Sequence, residues 1–475
     1  MNVVLKGVYG RNGNTTVYKT ANIVTDRIGS TVEVFGNKVI LTPDLFGIDK
    51  LYYVTEGENI VISNKLKDFY DYSIDDALWP IQLKRGYVPY PFTILKGVRK
   101  TLPGIGLEIS RQEESRWSYN YNTDKLKSYF NDTIKYDIED FRRAFLKAIA
   151  EIKSSFNKNA ILSLSGGCDS LLLYELFKDH IVKICHYAET QEDEKRLQKR
   201  LGGHLKDIPW NTLYGTDKVD AADINAYFDS LDDPCFCVTG LAEYLMIKKM
   251  VKCTGDISGF YMLDGYGADT HFQNGREYCK EWLLEKILLN KRVGINLNKK
   301  VGTDTIIGKA LDYIKSTKTR FYDVYTEHFN LPEEHKDEIL NVYHVYNNAL
   351  KIDRSKFYGL IRFFLWSSNE GMERIKATAN ALNVKFISPH HHFSIIKTAM
   401  FLPAKYNVGY SKGKRVLRNL LKEISDVPFI SEGFASRELW KNVSQGNTFS
   451  DYVGFFSNEW RKHYESKNKC TNSCV

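Results

Sequence analysis

The residues whose types and spacing most clearly indicate chemistry form a short loop of serine and glycine, SGGCDS at residues 165–170. An apolar strand precedes the loop, and a helix is predicted to begin at Asp169 and Ser170. Glycines let the backbone approach an anion closely, and the N–H groups at a helix N-terminus favour phosphate. The hydroxyls of Ser165 and Ser170 can donate to phosphate oxygens, and Asp169 can hold Mg²⁺ against them. The loop therefore indicates a phosphate site, with an ordinary tight turn and an Asp helix cap as the alternative.

The elements around this loop alternate between strands and helices, which is the order of an α/β protein. Such a pattern implies a mostly parallel sheet with helices on both faces. Ligands bind at the carboxyl ends of the strands in sheets of this kind, where the loop would lie. The predicted strands are 159–164, 181–187, 205–209 and 257–263, and the predicted helices are 138–155, 169–178, 191–202 and 240–252.

The first part of the chain is β-rich, with apolar alternation interrupted by turn residues. A polar segment at about 110–136 is predicted to be a domain boundary. We therefore expect a short β-rich domain over 1–125, a larger α/β domain over 137–446 that is mainly helical beyond 276, and a polar tail over 447–475. The strands predicted in the first domain are 2–8, 31–35, 38–42, 51–54 and 59–63, and a helix is predicted over 75–85.

Composition narrows the class of protein. The chain has 475 residues, and its 66 Lys and Arg against 58 Asp and Glu give a formal charge of +8. This small excess permits binding of a nucleotide but does not indicate DNA or RNA. No run approaches the roughly 18 apolar residues of a membrane helix, and the start lacks the apolar stretch of a secretory signal. The eight cysteines are too sparse for a disulfide scaffold. We therefore expect a soluble, cytoplasmic protein without a membrane partner.

The loop resembles the Ser-Gly-Gly-x-Asp-Ser pyrophosphate loop (PP-loop) of the N-type ATP pyrophosphatases, and its surroundings are similar to the asparagine synthetase family among them. The resemblance implies a degenerate, Ntn-glutaminase-like first domain and a synthetase domain with an adenine nucleotide α-hydrolase-like fold. It also implies that ATP is cleaved to AMP and pyrophosphate, while a carboxylate becomes an acyl-adenylate that an amine attacks. The other segments that carry the resemblance are 43–69, 86–104, 263–269, 389–403 and 413–418.

The resemblance also implies roles for single residues. Asp169 and Asp269 would hold Mg²⁺, and Lys414 would offset negative charge that develops near the α-phosphate. Tyr266 occupies the position of a tyrosine that removes a proton from the nucleophile in β-lactam synthetases; a carboxylate such as Glu370 or Glu373 would have to polarise it. The residues implied in ATP binding are Leu164, Ser165, Gly166, Gly167, Asp169, Ser170, His186 and Gly265.

The sequence departs from the family at three places. Glutamine-dependent members use an amino-terminal Cys to release ammonia, whereas this chain begins Met1-Asn2. An Asn amide cannot replace the thiolate, so we expect the amine to come from elsewhere. Asp264 replaces the usual Ser of the second loop, and the three histidines 390–392 replace Phe-Leu-Asp.

These departures favour relatives whose substrate carries its own amine, the β-lactam synthetases and the macrolactam synthetases of lasso peptides. The sequence therefore predicts a ligase that uses ATP and Mg²⁺ on a small-molecule or peptide carboxylate, with a precursor peptide and its protease as expected partners. Three alternatives stay open: an ammonia-dependent asparagine synthetase-like enzyme, a nucleobase- or tRNA-modifying PP-loop enzyme, and a remnant that binds a nucleotide or a partner without catalysis.

Overall fold

A computed structural model describes most of the chain. Residues 273–330, which include much of the stretch predicted to be helical beyond 276, lie outside the described residues. The described residues are 1–7, 10–19, 23–24, 29–112, 116–130, 136–155, 159–201, 204–205, 208–237, 239–255, 259–272, 331–350, 359–408, 413–428, 436–446 and 448–472.

The strands of the described residues form three sheets. A four-stranded sheet has the order β1-β8-β7-β9, a six-stranded antiparallel sheet has the order β11-β10-β6-β5-β3-β2, and a six-stranded parallel sheet has the order β14-β13-β12-β15-β16-β4. The strands are β1 (Asn2–Leu5), β2 (Gly10–Asn12), β3 (Thr15–Tyr18), β4 (Ile23–Val24), β5 (Ser30–Phe35), β6 (Lys38–Thr42), β7 (Tyr52–Glu56), β8 (Asn59–Ser63), β9 (Arg99–Lys100), β10 (Gly106–Arg111), β11 (Trp117–Asn122), β12 (Ala160–Ser163), β13 (Ile181–Ala188), β14 (Trp210–Tyr214), β15 (Tyr261–Leu263) and β16 (Lys385–Ile387).

The longer helices belong mainly to the second part of the chain. A π-helical segment, Arg362–Ser367, runs directly into the helix that follows it. The α-helices are α1 (Trp79–Arg85), α2 (Asp124–Phe130), α3 (Ile138–Ser154), α4 (Cys168–Phe177), α5 (Gln191–Leu201), α6 (Ala221–Ser230), α7 (Gly240–Thr254), α8 (Ala268–His271), α9 (Glu333–Ala349), α10 (Ser368–Leu382), α11 (Phe393–Phe401), α12 (Ala404–Asn407), α13 (Arg415–Ile424), α14 (Arg437–Ser444) and α15 (Phe449–Asn472).

This arrangement confirms a mixed α/β protein with a parallel sheet. Alternating apolar positions explain the first two sheets: Val32, Leu41, Ile60 and Ile109 face one another in a shared core between them. The start of α3 is fixed by a capping box in which Asp137 accepts from the Asp140 backbone at 2.8 Å. None of the helices among the described residues is both long and apolar enough to cross a membrane.

The two parts of the chain are not separate cores. Strand β4 leaves the β-rich region and pairs with β16, so that Ile23 lies beside Phe386 at the edge of the parallel sheet. One apolar cluster also includes residues from both parts, such as Phe46, Tyr90 and Phe363. The segment 1–125 therefore contributes a strand and core residues to the region that follows it.

Buried charges join the same two regions. Lys50 donates to Glu373 at 2.8 Å, and Lys100 donates to Asp233 and to Asn369 at 2.7 Å each. Burial opposes ionisation of Glu373, yet Lys50 beside it holds the pKa of this carboxyl at about 2. Burial lowers the pKa of Lys100 to about 8. Because α10 carries Asn369 and Glu373, this cluster fixes the β-rich region to that helix.

Two local predictions were wrong. The strand expected at 205–209 is β14, which begins at Trp210. The polar segment at 110–136 contains β11 and α2, and its role as a domain boundary stays a prediction. The expected polar tail is the helix α15, whose Tyr452, Phe456, Trp460 and Tyr464 recur every four residues and bury one face.

Candidate functional site

The candidate site lies where the strand order of the parallel sheet changes direction. The chain passes from β12 to β13 on one side, whereas β15 lies on the other side of β12, with Leu162 beside Leu263. Loops at the carboxyl ends of two strands that diverge in this way leave a crevice between them, and ligands of α/β sheets bind there. Residues 164–167 follow β12 and residues 264–267 follow β15, so both sequence motifs meet at this crevice.

Hydrogen bonds among its own residues fix the conformation of the first loop. Gly166 adopts a φ of +75°, which glycine accommodates without a Cβ penalty. The Ser170 hydroxyl accepts from the Ser165 backbone at 3.2 Å and lies 3.1 Å from the Ser165 hydroxyl. The Gly167 N–H donates to the Ser165 hydroxyl at 3.3 Å. The loop thus places two hydroxyls at the N-terminus of α4, which begins at Cys168.

Leu164, directly after β12, and His186, in the neighbouring strand β13, contact the base of this loop. The Leu164 N–H donates to the Cys185 carbonyl at 3.0 Å, continuing the pairing of β12 with β13. His186 Nδ1 lies 2.7 Å from the Leu164 carbonyl oxygen. Burial lowers the pKa of His186, which favours the neutral imidazole. The ring of His186 therefore contacts the residue that immediately precedes the loop.

The second loop packs directly on the first. A Cβ built on Gly265 would lie 3.2 Å from the Asp169 Cβ, so a larger residue would push the two loops apart. Asp264 accepts from the Tyr266 N–H at 2.7 Å, and burial raises its pKa. This bond shapes the turn that follows β15. Gly267 adopts a φ of +94°.

Lys414 joins the two loops through their carboxylates. Its Nζ contacts Asp169 and lies 2.5 Å from the Asp269 carboxylate. Its backbone N–H donates to the Phe272 carbonyl at 3.0 Å, just after the short helix that carries Asp269. Lys414 also has a φ of +54°, an uncommon backbone conformation for a residue with a side chain. Such conformations persist where the surroundings hold them, and they concentrate at functional sites.

The electrostatics of this group fit a cation-binding site. Burial raises the pKa of Asp169 although Lys414 opposes the shift. Burial alone would lower the pKa of Lys414, but the two carboxylates raise it. Asp169 Oδ1 is buried and has no hydrogen-bond partner among the described residues. That oxygen needs a ligand, and a carboxylate oxygen is a donor that Mg²⁺ accepts.

The described part of the chain has no group of three or more His, Cys, Asp or Glu side chains placed to hold a metal ion. Two carboxylates are nevertheless a suitable set for Mg²⁺, which takes one or two carboxylates and completes its shell with phosphate oxygens and water. Asp169 and Asp269, which share Lys414, therefore fit a magnesium ion.

Tyr266 lies beside this group but without the expected carboxylate partner. Its hydroxyl donates to the Ser367 carbonyl at 3.0 Å. Trp366 donates to Glu370 at 2.8 Å, and Lys50 donates to Glu373 at 2.8 Å. Burial also raises the pKa of the Tyr266 phenol. The Tyr266 hydroxyl thus bonds to neither glutamate, although Glu370 lies close enough to help raise the pKa of the phenol, and the role of Tyr266 as a base stays a prediction.

A further set of residues around the crevice was missed as a group by sequence reasoning. His390 and His391 were noted only as replacements of Phe and Leu, and His271 was not noted. The ring of His391 stacks on Tyr266 with centroids 5.5 Å apart, and His271 lies 6.0 Å from His391. Burial lowers the pKa of both His390 and His391 to about 3. These rings are packed, neutral side chains behind the loops. In the sequence, the one signal of this group was that His271 follows Asp269 by two residues.

Comparisons with known proteins add no family assignment: no protein-family model matches the chain, and no curated protein matches it.

Proposed function

We propose that the chain is an ATP-dependent carbon–nitrogen ligase, an enzyme that adenylates a carboxylate, releases pyrophosphate and passes the acyl group to an amine. The observation that carries the proposal is the position of Lys414 between Asp169 and Asp269 at the crevice of the parallel sheet. A lone phosphate loop would not require two carboxylates and a buried ammonium from three separate elements. A site that must neutralise a triphosphate and hold Mg²⁺ requires this combination.

Each residue then has a distinct task. The hydroxyls of Ser165 and Ser170, with the N–H groups that begin α4, bind the pyrophosphate portion of ATP. Asp169 and Asp269 would hold Mg²⁺, which supplies positive charge to the phosphates when it is bound. Lys414 would turn from the carboxylates to the α-phosphate, where its fixed backbone positions the ammonium against developing negative charge.

The source of the amine is part of the proposal. A glutaminase needs a reactive thiolate, and four of the described cysteines, 168, 185, 235 and 237, are buried, whereas Cys253 is exposed on α7, away from the candidate loops. Burial raises the pKa of Cys168, the cysteine in the loop, to about 12. This environment supports a substrate that carries its own amine, as in the β-lactam and lasso peptide macrolactam synthetases that the sequence resembles.

The finer fold assignment belongs to the same proposal. The parallel sheet with its switch point supports an adenine nucleotide α-hydrolase-like synthetase region, and the two facing sheets of the first region support a degenerate glutaminase-like domain. We propose cytoplasmic location and a peptide or small-molecule carboxylate as substrate, with a precursor peptide and its protease as partners.

Isotope exchange tests the adenylation step. Purified protein is incubated with ATP, Mg²⁺, labelled pyrophosphate and separate pools of free amino acids and of aspartate- or glutamate-containing peptides. We expect label to enter ATP only with a competent carboxylate, and AMP rather than ADP to accumulate. Asp169→Asn and Lys414→Met should each reduce exchange at least 100-fold, the order lost when a main electrostatic group is removed.

Lys422→Met is the matched control, because Lys422 is exposed on α13, the helix that begins next to Lys414. It should leave the exchange rate unchanged. Formation of ADP, or an exchange rate that is the same in Asp169→Asn and the unaltered protein, would contradict the proposal.

A further inference from the structure

The ring of Tyr266 is enclosed by side chains from two other segments of the chain. The guanidinium carbon of Arg374, on α10, lies over the ring, 5.2 Å from its centroid. The imidazole of His391 stacks on the same ring with an interplanar angle of 14°. The Ser367 carbonyl accepts from the hydroxyl at 3.0 Å, and Gly371 lacks the Cβ that would overlap the hydroxyl oxygen. These contacts fix the ring beside the loop that follows β15.

Arg374 is itself held by residues at the start of α7. Its Nε lies 3.0 Å from Glu243 Oε2, and its Nη1 donates to the Thr239 hydroxyl. The same Nη1 lies 3.6 Å from Cys237 Sγ. A guanidinium keeps its charge at every pH at which proteins fold, and a cation is attracted to the face of an aromatic ring. The structure thus places a permanent positive charge, anchored on α7, over the Tyr266 ring.

The nearby carboxyls do not compensate this charge fully. Burial raises the pKa of Glu243 to about 7, although Arg374 opposes the shift. A carboxyl with such a pKa is only partly ionised at neutral pH, so part of the Arg374 charge stays available to another anion. The titratable groups around the guanidinium and the phenol are Glu243 and Cys237 beside α7, Asp264 on the loop after β15, Glu370 on α10, and His391.

We propose that Arg374 is a positioning residue for Tyr266, which holds the ring in place and favours the phenolate form of its hydroxyl. The inference rests on the proposed ligase, in which Tyr266 would take a proton from the ammonium group of the substrate. That transfer turns the phenolate into a neutral phenol and leaves a free amine to attack the acyl-adenylate. Burial opposes ionisation of this phenol, so the phenolate needs a cation nearby, and Arg374 provides one.

A fluorinated tyrosine at position 266 tests this role in the full chain. Tetrafluorotyrosine keeps the shape of the ring, has a far more acidic phenol than tyrosine, and gives fluorine NMR signals from this one position. We expect Arg374→Gln to make the fluorinated phenol at least about tenfold weaker as an acid, because an opposite charge at this distance favours ionisation by that order. Arg374→Lys keeps the charge and should recover most of the loss.

The direction of the change separates the electrostatic role from a structural one. Burial raises the pKa of the phenol, so a variant that merely loosened the ring would admit water and lower this pKa. Loss of the Arg374 charge raises it instead. Arg362→Gln is the matched control, because the guanidinium of Arg362 lies over the ring of Trp366, at 4.7 Å. Its effect on the acidity should stay below about threefold, since the effect of a charge weakens with distance.

An unchanged or more acidic phenol in Arg374→Gln would overturn the proposal, as would an equal change in Arg362→Gln. The titration contains neither ATP nor a carboxylate substrate, so its result is independent of the isotope exchange that tests the ligase. Failure of the exchange alone would refute the ligase and with it the use of the phenolate. Failure of the titration alone would refute the role of Arg374 and leave the ligase standing.

Discussion

Lys414 keeps two carboxylates together that would otherwise repel each other. Replacing it with Met leaves Asp169 buried without its cation, and breaking a buried pair in this way costs about 3–5 kcal/mol of unfolding free energy. Mg²⁺ should restore part of this loss if the two carboxylates bind it. We therefore expect millimolar Mg²⁺ to raise the thermal midpoint of Lys414→Met more than that of Lys422→Met. The absence of any shift in Lys414→Met would show that the carboxylates do not bind the ion.

Gly371 is required by the ring of Tyr266. A Cβ at this position would lie 1.7 Å from the Tyr266 hydroxyl oxygen, and the ring is enclosed by His391 and Arg374. Gly to Ala inside a helix usually stabilises by about 0.5–1 kcal/mol, but overpacking costs about 1–3 kcal/mol. Gly371→Ala should therefore destabilise the protein.

Gly454 provides the matched control for this change. It lies inside α15, and a Cβ there would meet nothing within 4 Å. Gly454→Ala should raise the free energy of unfolding in urea, whereas Gly371→Ala should lower it. The same sign for both would show that the Tyr266 ring moves aside freely.

Buried histidines predict how stability depends on pH. Among the described residues neither ring nitrogen of His390 has a hydrogen-bond partner, and its folded pKa is about 3. In the unfolded chain a histidine titrates near pH 6.5, so from there down to about 3 the unfolded state binds the proton first. Stability from the neutral ring is therefore lost as pH falls through this window, by up to about 1.4 kcal/mol per pH unit.

His390→Phe removes this titration and keeps a ring at the position. We expect the plot of unfolding free energy against pH to become flatter between about pH 6 and pH 4, where only the unfolded histidine titrates. Above pH 7.5 the slope should not change. Parallel acid limbs for the two proteins would mean that His390 is not neutral in the folded state.

At the scale of elements, the β-rich region and α10 are joined by a buried ion pair. Lys50→Met should cost about 3–5 kcal/mol because Glu373 is left buried without its nearest cation. Adding Glu373→Met should recover a large part of that loss. Urea unfolding of both single variants and the double variant measures the coupling. Simple addition of the two losses would contradict a direct interaction.

An exposed pair on α15 is the comparison for this cycle. Lys462 Nζ lies 2.6 Å from Glu459 Oε1, and the two side chains are 72% and 37% exposed. Their coupling should stay below about 1 kcal/mol, as for surface pairs in general.

The elements differ in how far the sequence predicts them. Strand β12, its loop and α4 were correctly placed, because an apolar run, glycines and a helix signal follow one another within a few residues. The helix α15 was missed because charged residues separate its aromatic residues, so the segment as a whole looks polar. Only the four-residue spacing of the aromatic residues indicates a helix with one buried face. Strands β4 and β16 have two and three residues, too few for a periodic signal.

At the scale of the whole molecule, shared packing predicts one unfolding transition. The largest apolar cluster includes residues from Ile23 to Tyr464, and the ion pair of Lys100 with Asp233 crosses between the two regions. Neither region can therefore unfold without exposing core that belongs to the other. Differential scanning calorimetry should give a single peak with equal calorimetric and van't Hoff enthalpies. Two resolved peaks would show that the regions are independent.

The sequence predicted two domains because the change from alternating strands to strand and helix is a local property of the chain. It could not predict the contacts between them, since Lys50 and Glu373 lie far apart in sequence and neither carries a signal of its partner. The same limit explains the site: the resemblance implied that Asp169, Asp269 and Lys414 share one site, whereas the direct contacts of Lys414 with both carboxylates follow only from the folded structure.

The pairing of β4 with β16 sets an order of events during synthesis. Ile23 is synthesised long before its partner strand β16, which ends at Ile387. Until β16 has been synthesised, β4 has no partner strand in the parallel sheet. Once β16 has formed, its outer edge stays unpaired until β4 binds to it. Open edges invite pairing with other chains. Replacing Ile23 and Val24 with proline, which cannot pair in a sheet, should therefore favour aggregation during expression.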